Sequence, residues 1–467
     1  MRTTAVTDPP PIRTLGELRA SGHGRRTVRE EIRANLLAAL REGNDPWPGL
    51  HGFGGTVLPQ LERALLAGHD VVLLGERGQG KSRLLRTVAG LLDEWTPVIA
   101  GAELGEHPED PITPESRRRA AELGADLPVA WRHREERYAE KLATPDSSVA
   151  DLIGDVDPMK VAQGRHLGDP ETIHYGLVPR SHRGIVVINE LPDLAERIQV
   201  AMLNVMEERD VQVRGYVLRL PLDVLVLASA NPEDYTNRGR IITPLKDRFG
   251  AEIRTHYPLR VQDEVAVIRQ EAQLVAEVPD ALVEVLARFT RALRGSGAVD
   301  QRSGVSARFA IAGAETVAAA ALRRAALTGE SEPVARVVDL PAAVEVLAGK
   351  VELETGEEGR EAEILGHLLR TATAETVRAR LAGLDLGLLV QALEGGAAVV
   401  TGETVPAAEL LAGLPVLGES DLYDRLFDRL GAGSAGARAA AAELALEGLY
   451  LARRISKESV DGGTVYG

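Results

Sequence analysis

The run Gly75-Glu76-Arg77-Gly78-Gln79-Gly80-Lys81-Ser82 combines three glycines, a lysine and a hydroxyl at the Walker A spacing, which suits a polyphosphate. Glycines let the backbone wrap so that its N–H groups converge on phosphate oxygens, and the start of a following helix adds partial positive charge. Lys81 then reaches the β- and γ-phosphates of ATP, and the Ser82 hydroxyl becomes a ligand for Mg²⁺. Two further polar groups close apolar runs. Asn189-Glu190 ends GIVVINE (184–190), and Asn231 follows DVLVLASA (223–230) within Ala228-Ser229-Ala230-Asn231-Pro232. Glu190 suits a general base that polarises an attacking water. Asn189 stands where such a strand normally carries an aspartate. Its carbonyl can accept from metal-bound water but lacks the charge that favours Mg²⁺, so weaker metal binding and slower turnover are expected. The Asn231 amide can hold a water near the γ-phosphate, with a plain Asn-Pro turn as the bland alternative.

These residues need elements to position them. The runs VVLLG (71–75), GIVVINE and DVLVLASAN are short, continuous and rich in Val, Leu and Ile, the pattern of parallel strands buried on both faces. A helix carrying Leu84, Leu85, Val88, Leu91 and Leu92 follows the glycine loop. Ahead of it, Val28, Ile32, Leu36 and Leu40 repeat every fourth residue within one or two lead-in helices, after a proline-containing tail. Past about residue 258 strand signals give way to long Ala/Leu/Glu/Arg helices, and the last ten, glycine-rich residues read as frayed. The expected division is 1–44 for the tail and lead-in helices and 45–257 for an α/β nucleotide-binding domain. A helical lid over 258–350 and a helical region over 351–467 follow, with the boundary set by the acidic, glycine-containing segment 351–363.

Composition excludes several classes. Hydrophobic residues at 44% and charged residues at 26% describe a globular protein, and 3% aromatics imply an aliphatic, helix-rich core. A formal net charge of −15 repels phosphate backbones, so nucleic acid is not an expected partner. With no cysteine there is no disulfide, thiolate zinc site or Cys nucleophile. The ten histidines, His166 and His174 among them, show no metal-ligand spacing. No signal-peptide core and no run of about 18 apolar residues occurs, which reads as a cytoplasmic protein.

From the glycine loop through GLVPRSHRGIVVINE, ASANPED and PLKDRFG, the chain resembles the AAA+ branch that holds the magnesium-chelatase ATPase subunit and the MoxR-type ATPases, over roughly residues 45–320. The stretch Gly176-Leu177-Val178-Pro179-Arg180-Ser181-His182-Arg183-Gly184 is the most specific part of that likeness. The resemblance implies an α/β fold: a P-loop core with a parallel sheet flanked by helices, then an all-helical lid and a helical C-terminal region. It implies a hexamer-like ring in which Arg248, in Pro244-Leu245-Lys246-Asp247-Arg248-Phe249, reaches a neighbouring subunit's ATP. Read alone, that arginine is a solvated loop charge. Arg308, in Gly304-Val305-Ser306-Ala307-Arg308, is similar to the lid arginine that contacts the γ-phosphate, with Arg302 as runner-up. Residues 140–157 look like a loop insert facing the ring pore, and residues 208–223 look like a hairpin.

By the same resemblance, the expected activity is ATP hydrolysis coupled to remodelling or activation of a protein partner carrying a von Willebrand factor A-type domain. Two alternatives stay open. One is a magnesium-chelatase ATPase subunit driving metal insertion into a porphyrin. The other is an ATP-binding scaffold with little turnover, motivated by Asn189.

Overall fold

The computed structural model describes residues 7–157, 159, 162, 172–208, 211–213, 216–218, 220–231, 239–300, 304–354, 356–357, 359–460 and 463–467, and structural statements refer to these. His166, Arg302 and Pro232 lie outside them. The chain divides into two units, residues 1–256 and 257–467.

In the first unit, the aliphatic runs form β1 (Val71–Leu74), β3 (Gly184–Asn189) and β4 (Val224–Ala230), every residue of which is buried. Two partly exposed edge strands, β2 (Tyr138–Leu142) and β5 (Ala251–Arg254), complete a five-stranded sheet of order β5-β1-β4-β3-β2. All its pairings are parallel. Leu74 lies opposite Ala230, Ala228 opposite Ile188 and Leu142 opposite Asn189, so the carboxyl ends of four strands meet along one edge. An open parallel sheet binds its ligand at that edge.

Alternation along the strands sorts side chains to two layers. Val71, Leu73, Ile185, Val187, Leu225 and Leu227 pack with helices α1 (Val28–Glu42), α2 (Val57–Ala67) and α3 (Lys81–Thr87). Val72, Leu74, Val186, Ile188 and Val226 pack on the other face, against Ile198, Met202 and Val205 of α4 (Glu196–Glu208). Helix α1 starts on a capping box, Thr27 with Glu30, and ends at Gly43 in the left-handed conformation. Its periodic residues Val28, Ile32 and Leu36 are buried, whereas Leu40 is exposed.

The same helix buries Glu31, which accepts two hydrogen bonds from the Arg137 guanidinium at 2.8 and 2.7 Å. Arg137 also donates to the Arg183 carbonyl, and Arg183 donates to Pro97 O and Thr96 Oγ1, both at 2.6 Å. Together these brace the start of β3.

The segment 140–157, expected as a loop insert, is split. Glu140–Leu142 belongs to β2, while Val149–Leu152 is a short helix and Gly154–Val156 pairs antiparallel with Ile173–Tyr175. The reason is a register with β3 that local sequence does not reveal. Within 208–223, Val211–Val213 pairs antiparallel with Tyr216–Leu218.

The second unit is mainly helical. Its core gathers α6 (Val261–Glu271), α7 (Asp280–Arg294), α8 (Ala307–Thr328) and α9 (Glu361–Arg380). Alanines in α8 and in α10 (Ala435–Leu451) allow close approach, and most of α10 is buried. The terminal residues are not frayed as expected. Gly463–Tyr466 pairs with Lys457–Val460 and with Val399–Thr401 in a three-stranded antiparallel sheet, closed by buried Tyr466. No helix among the described residues is long and apolar enough to cross a membrane.

Candidate functional site

The glycine loop leaves β1 and enters α3 at Lys81. Gly78 and Gly80 hold φ of 73° and 78°, a left-handed geometry that favours glycine. Gly75 is required for a different reason: a Cβ there would run into the Thr255 hydroxyl and the Gln79 amide oxygen. Those two groups lock the loop to β5, with Thr255 Oγ1 donating to Gln79 Oε1 at 2.7 Å. The Gly75 N–H donates to Ala230 O at 3.1 Å, which sets Asn231, buried and next in the chain, beside the loop. Lys81 is buried, and its ammonium donates to the carbonyls of Gly75 (2.5 Å) and Glu76 (2.8 Å). Glu76 is half-buried, and Arg77, Gly78 and Gly80 are exposed.

Sheet register brings the second group in. Ser82 Oγ donates to Asn189 Oδ1 at 3.3 Å. Ser229, buried on β4, donates to the same Oδ1 at 2.9 Å and accepts from the Glu190 N–H at 3.3 Å. Glu190 is half-buried and sits at φ 53°, ψ 49°. That left-handed geometry costs a non-glycine residue about 1–2 kcal/mol, a strain typical of functional positions. Ser82, Asn189, Glu190, Ser229 and Asn231 thus gather beside Lys81. Ser82 Oγ and Asn189 Oδ1 are hard oxygens held side by side next to the glycine loop, a donor chemistry that fits Mg²⁺.

The structure also places Glu140 here, a residue to which the local sequence assigns no chemistry. Glu140 Oε1 accepts from Asn189 Nδ2 at 2.5 Å, and its carboxylate takes a two-point contact from Arg86 on α3 at 2.7 and 2.9 Å. Partial burial pushes its pKa upward, but the hydrogen bonds and charge of Arg86, with Tyr138 and Asn189, hold it below the ordinary glutamate range.

Arg248 is not part of this gathering. Arg248 closes α5 (Thr243–Arg248) and is held by Glu207 Oε1 of α4 at 2.6 Å and by Asp247 at 3.3 Å. The hydrogen bond and charge of Glu207 raise its pKa. Arg308 is exposed in the first turn of α8, within the second unit.

The run 176–184 bears on the site through support. His182 Nδ1 accepts from the Asp223 N–H at 3.1 Å, and burial, followed by the charge of Arg183, lowers its pKa to about 3. His174 is exposed, and among the described residues no group of His, Asp or Glu has the makings of a separate metal centre.

No family model matches the chain. The magnesium-chelatase 38 kDa subunit of Acidiphilium rubrum is 30% identical over 312 residues, which cover 65% of this chain and 75% of that protein. The magnesium-chelatase subunit ChlI of Anabaena variabilis is 26% identical over 217 residues, 45% of this chain and 60% of that subunit's length. The chain therefore spans less than two thirds of that second relative. Among solved structures, a complex between subunits BchI and BchD of magnesium chelatase aligns at 20% identity and a TM-score of 0.35, over 68% of this chain and 98% of that one. A score that low carries no weight here; the β5-β1-β4-β3-β2 order and the loop geometry establish the fold. By its similarity to the Acidiphilium rubrum subunit, this chain belongs to the magnesium-chelatase ATPase-subunit family, within the AAA+ P-loop proteins.

Proposed function

We propose that this chain binds Mg-ATP at Gly75–Ser82 and hydrolyses it as one subunit of a hexamer-like ring, driving the remodelling or activation of a protein partner. The observation that carries this reading is the contact of Ser82 Oγ with Asn189 Oδ1 directly after buried Lys81 of the glycine loop. Bound Mg²⁺ would supply charge neutralisation on the phosphates. Glycine-loop N–H groups and Lys81 hold the phosphates, Ser82 and Asn189 hold the metal, and Glu190 takes the proton of the attacking water. Asn231 positions that water. Arg248 acts on the neighbouring subunit's ATP, and Arg308 acts from the lid. Arginine contacts of this kind accelerate phosphoryl transfer by about 10³-fold or more.

The partner assignment draws on the relatives, which are by name subunits of a larger enzyme. A protein with a von Willebrand factor A-type domain is the partner we propose, in the cytoplasm. Metal insertion into a porphyrin is the more specific activity those names suggest, and ATP-dependent insertion with the other chelatase subunits present tests it. A nucleotide-switched scaffold with slow turnover is the second reading, favoured by the neutral side chain at Asn189.

Lys81→Ala should sharply weaken ATP binding in equilibrium titration, whereas Glu190→Gln should keep binding and stop turnover. An unchanged nucleotide affinity in the first variant would remove the phosphate-site assignment. Hydrolysis at the parental rate in the second would remove Glu190 as the base.

A further inference from the structure

Asn189 leaves the metal side of the site one negative charge short, and the fold places a carboxylate in contact with it. Glu140 lies on β2, and Glu140 Oε1 is 2.5 Å from Asn189 Nδ2. Three donors fix that carboxylate besides Asn189. Arg86 Nε and Nη2 hold its two oxygens at 2.7 and 2.9 Å, and the Tyr138 hydroxyl reaches it at 3.1 Å from two residues earlier on the same strand.

The hydrogen bonding leaves Asn189 one orientation. An ionised carboxylate only accepts, so the amide must turn Nδ2 toward Glu140. The hydroxyls of Ser82 and Ser229 can each donate or accept, so neither decides the matter. With Nδ2 committed to Glu140, Oδ1 faces Ser82 and Ser229, at 3.3 and 2.9 Å. A flipped amide would instead present an NH₂ group where a cation must bind.

We infer that Glu140 and Asn189 form a split substitute for the aspartate that such a strand normally carries. Asn189 supplies the oxygen on the metal side, and Glu140, itself paired with Arg86, polarises the amide and fixes its direction. Glu140 is thus a positioning residue of the Mg²⁺ site, acting through Asn189. This rests on the proposal that Gly75–Ser82 binds Mg-ATP. It also changes what Asn189 means: a carboxylate on the adjacent strand orients and polarises the amide, so the site is not simply depleted.

A double-mutant cycle on the full chain tests this through binding. The probe is a fluorescent ATP analogue titrated with Mg²⁺, with its affinity also measured in EDTA. Glu140→Gln keeps an acceptor for Arg86 but can present its own NH₂ to Asn189. It should raise the Mg²⁺ concentration for half-maximal effect about ten-fold, the order set by exchanging a charge-assisted hydrogen bond for a neutral one. The affinity in EDTA should stay at the parental value. Asn189→Asp alone places two carboxylates face to face and should shift the Mg²⁺ midpoint by less than about three-fold, because like charges in contact oppose ionisation. In the Glu140→Gln background the same substitution should recover the lost ten-fold, since amide and carboxylate have then merely exchanged places. An unchanged midpoint in Glu140→Gln overturns the inference. So does an equal gain from Asn189→Asp in both backgrounds. A parental chain that binds no nucleotide even in EDTA overturns the underlying proposal and this inference together.

Discussion

Ser229→Ala removes one buried hydroxyl that joins two parts of the site. In the structure this hydroxyl donates to Asn189 Oδ1 at 2.9 Å and accepts from the Glu190 N–H at 3.3 Å. Each such bond contributes about 0.5–1.5 kcal/mol net, and the second is long, so the pair is worth roughly 1–2 kcal/mol. Ser229 touches neither the glycine loop nor Lys81 through these bonds, so ground-state nucleotide affinity should stay within about two-fold. What loosens is the placement of Asn189 and of the strained Glu190 backbone, whose geometry matters most in the transition state. If the whole contribution is realised there, kcat falls by about 5- to 30-fold. Steady-state ATPase rates at saturating Mg-ATP, with equilibrium binding of the analogue alongside, separate the two effects. A kcat within two-fold of the parent would refute the positioning argument. A variant that loses affinity in proportion to rate would place Ser229 in nucleotide binding instead.

Mixing Arg248→Ala subunits with Lys81→Ala subunits should recover ATPase activity that neither shows alone, because an intact pocket can then face an intact arginine. No gain over the summed rates at any ratio, with assembly confirmed by light scattering, would remove Arg248 from the neighbour's site. His182 predicts a pH dependence of stability. Its pKa is about 3 in the fold against an ordinary 6.5, so the unfolded chain binds the extra proton between those values. Its contribution is intact above about pH 6.5 and is lost as pH falls, by about 2 kcal/mol at pH 5. Thermal melts at pH 7.5 and 5.0 should show a smaller difference in His182→Gln than in the parent; equal differences would contradict the assignment.

The parts of this site that are contiguous in the chain are legible in the amino-acid sequence. The glycine loop carries its own context, a buried strand before and an amphipathic helix after, and Glu190 and Asn231 follow aliphatic runs that read as strands. What crosses between strands is not legible there. Glu140 lies 49 residues from Asn189, and only the parallel register of β2 on β3 brings them into contact. The run that contains Glu140 has no aliphatic core of its own, because an edge strand is partly exposed, so its pattern is that of an insert. Ser229 lies within an informative motif, yet its type and spacing carry no signal, since its role comes from lying beside Asn189. Glu31 and Arg137 illustrate the same limit: each has the local context of a surface charge, and each is buried by the other across 106 residues. The terminal sheet escapes pattern reading because strands of three or four residues leave too short a signal.

The central claim is that this chain turns over Mg-ATP at Gly75–Ser82 in a site completed between subunits. Steady-state ATPase activity of the purified chain, measured per subunit across a wide range of protein concentration, tests it most directly. The account predicts a specific activity that rises with concentration to a plateau and is abolished at every concentration by Lys81→Ala. Activity independent of concentration would contradict the shared site, and activity that survives in Lys81→Ala would contradict the location of the site itself.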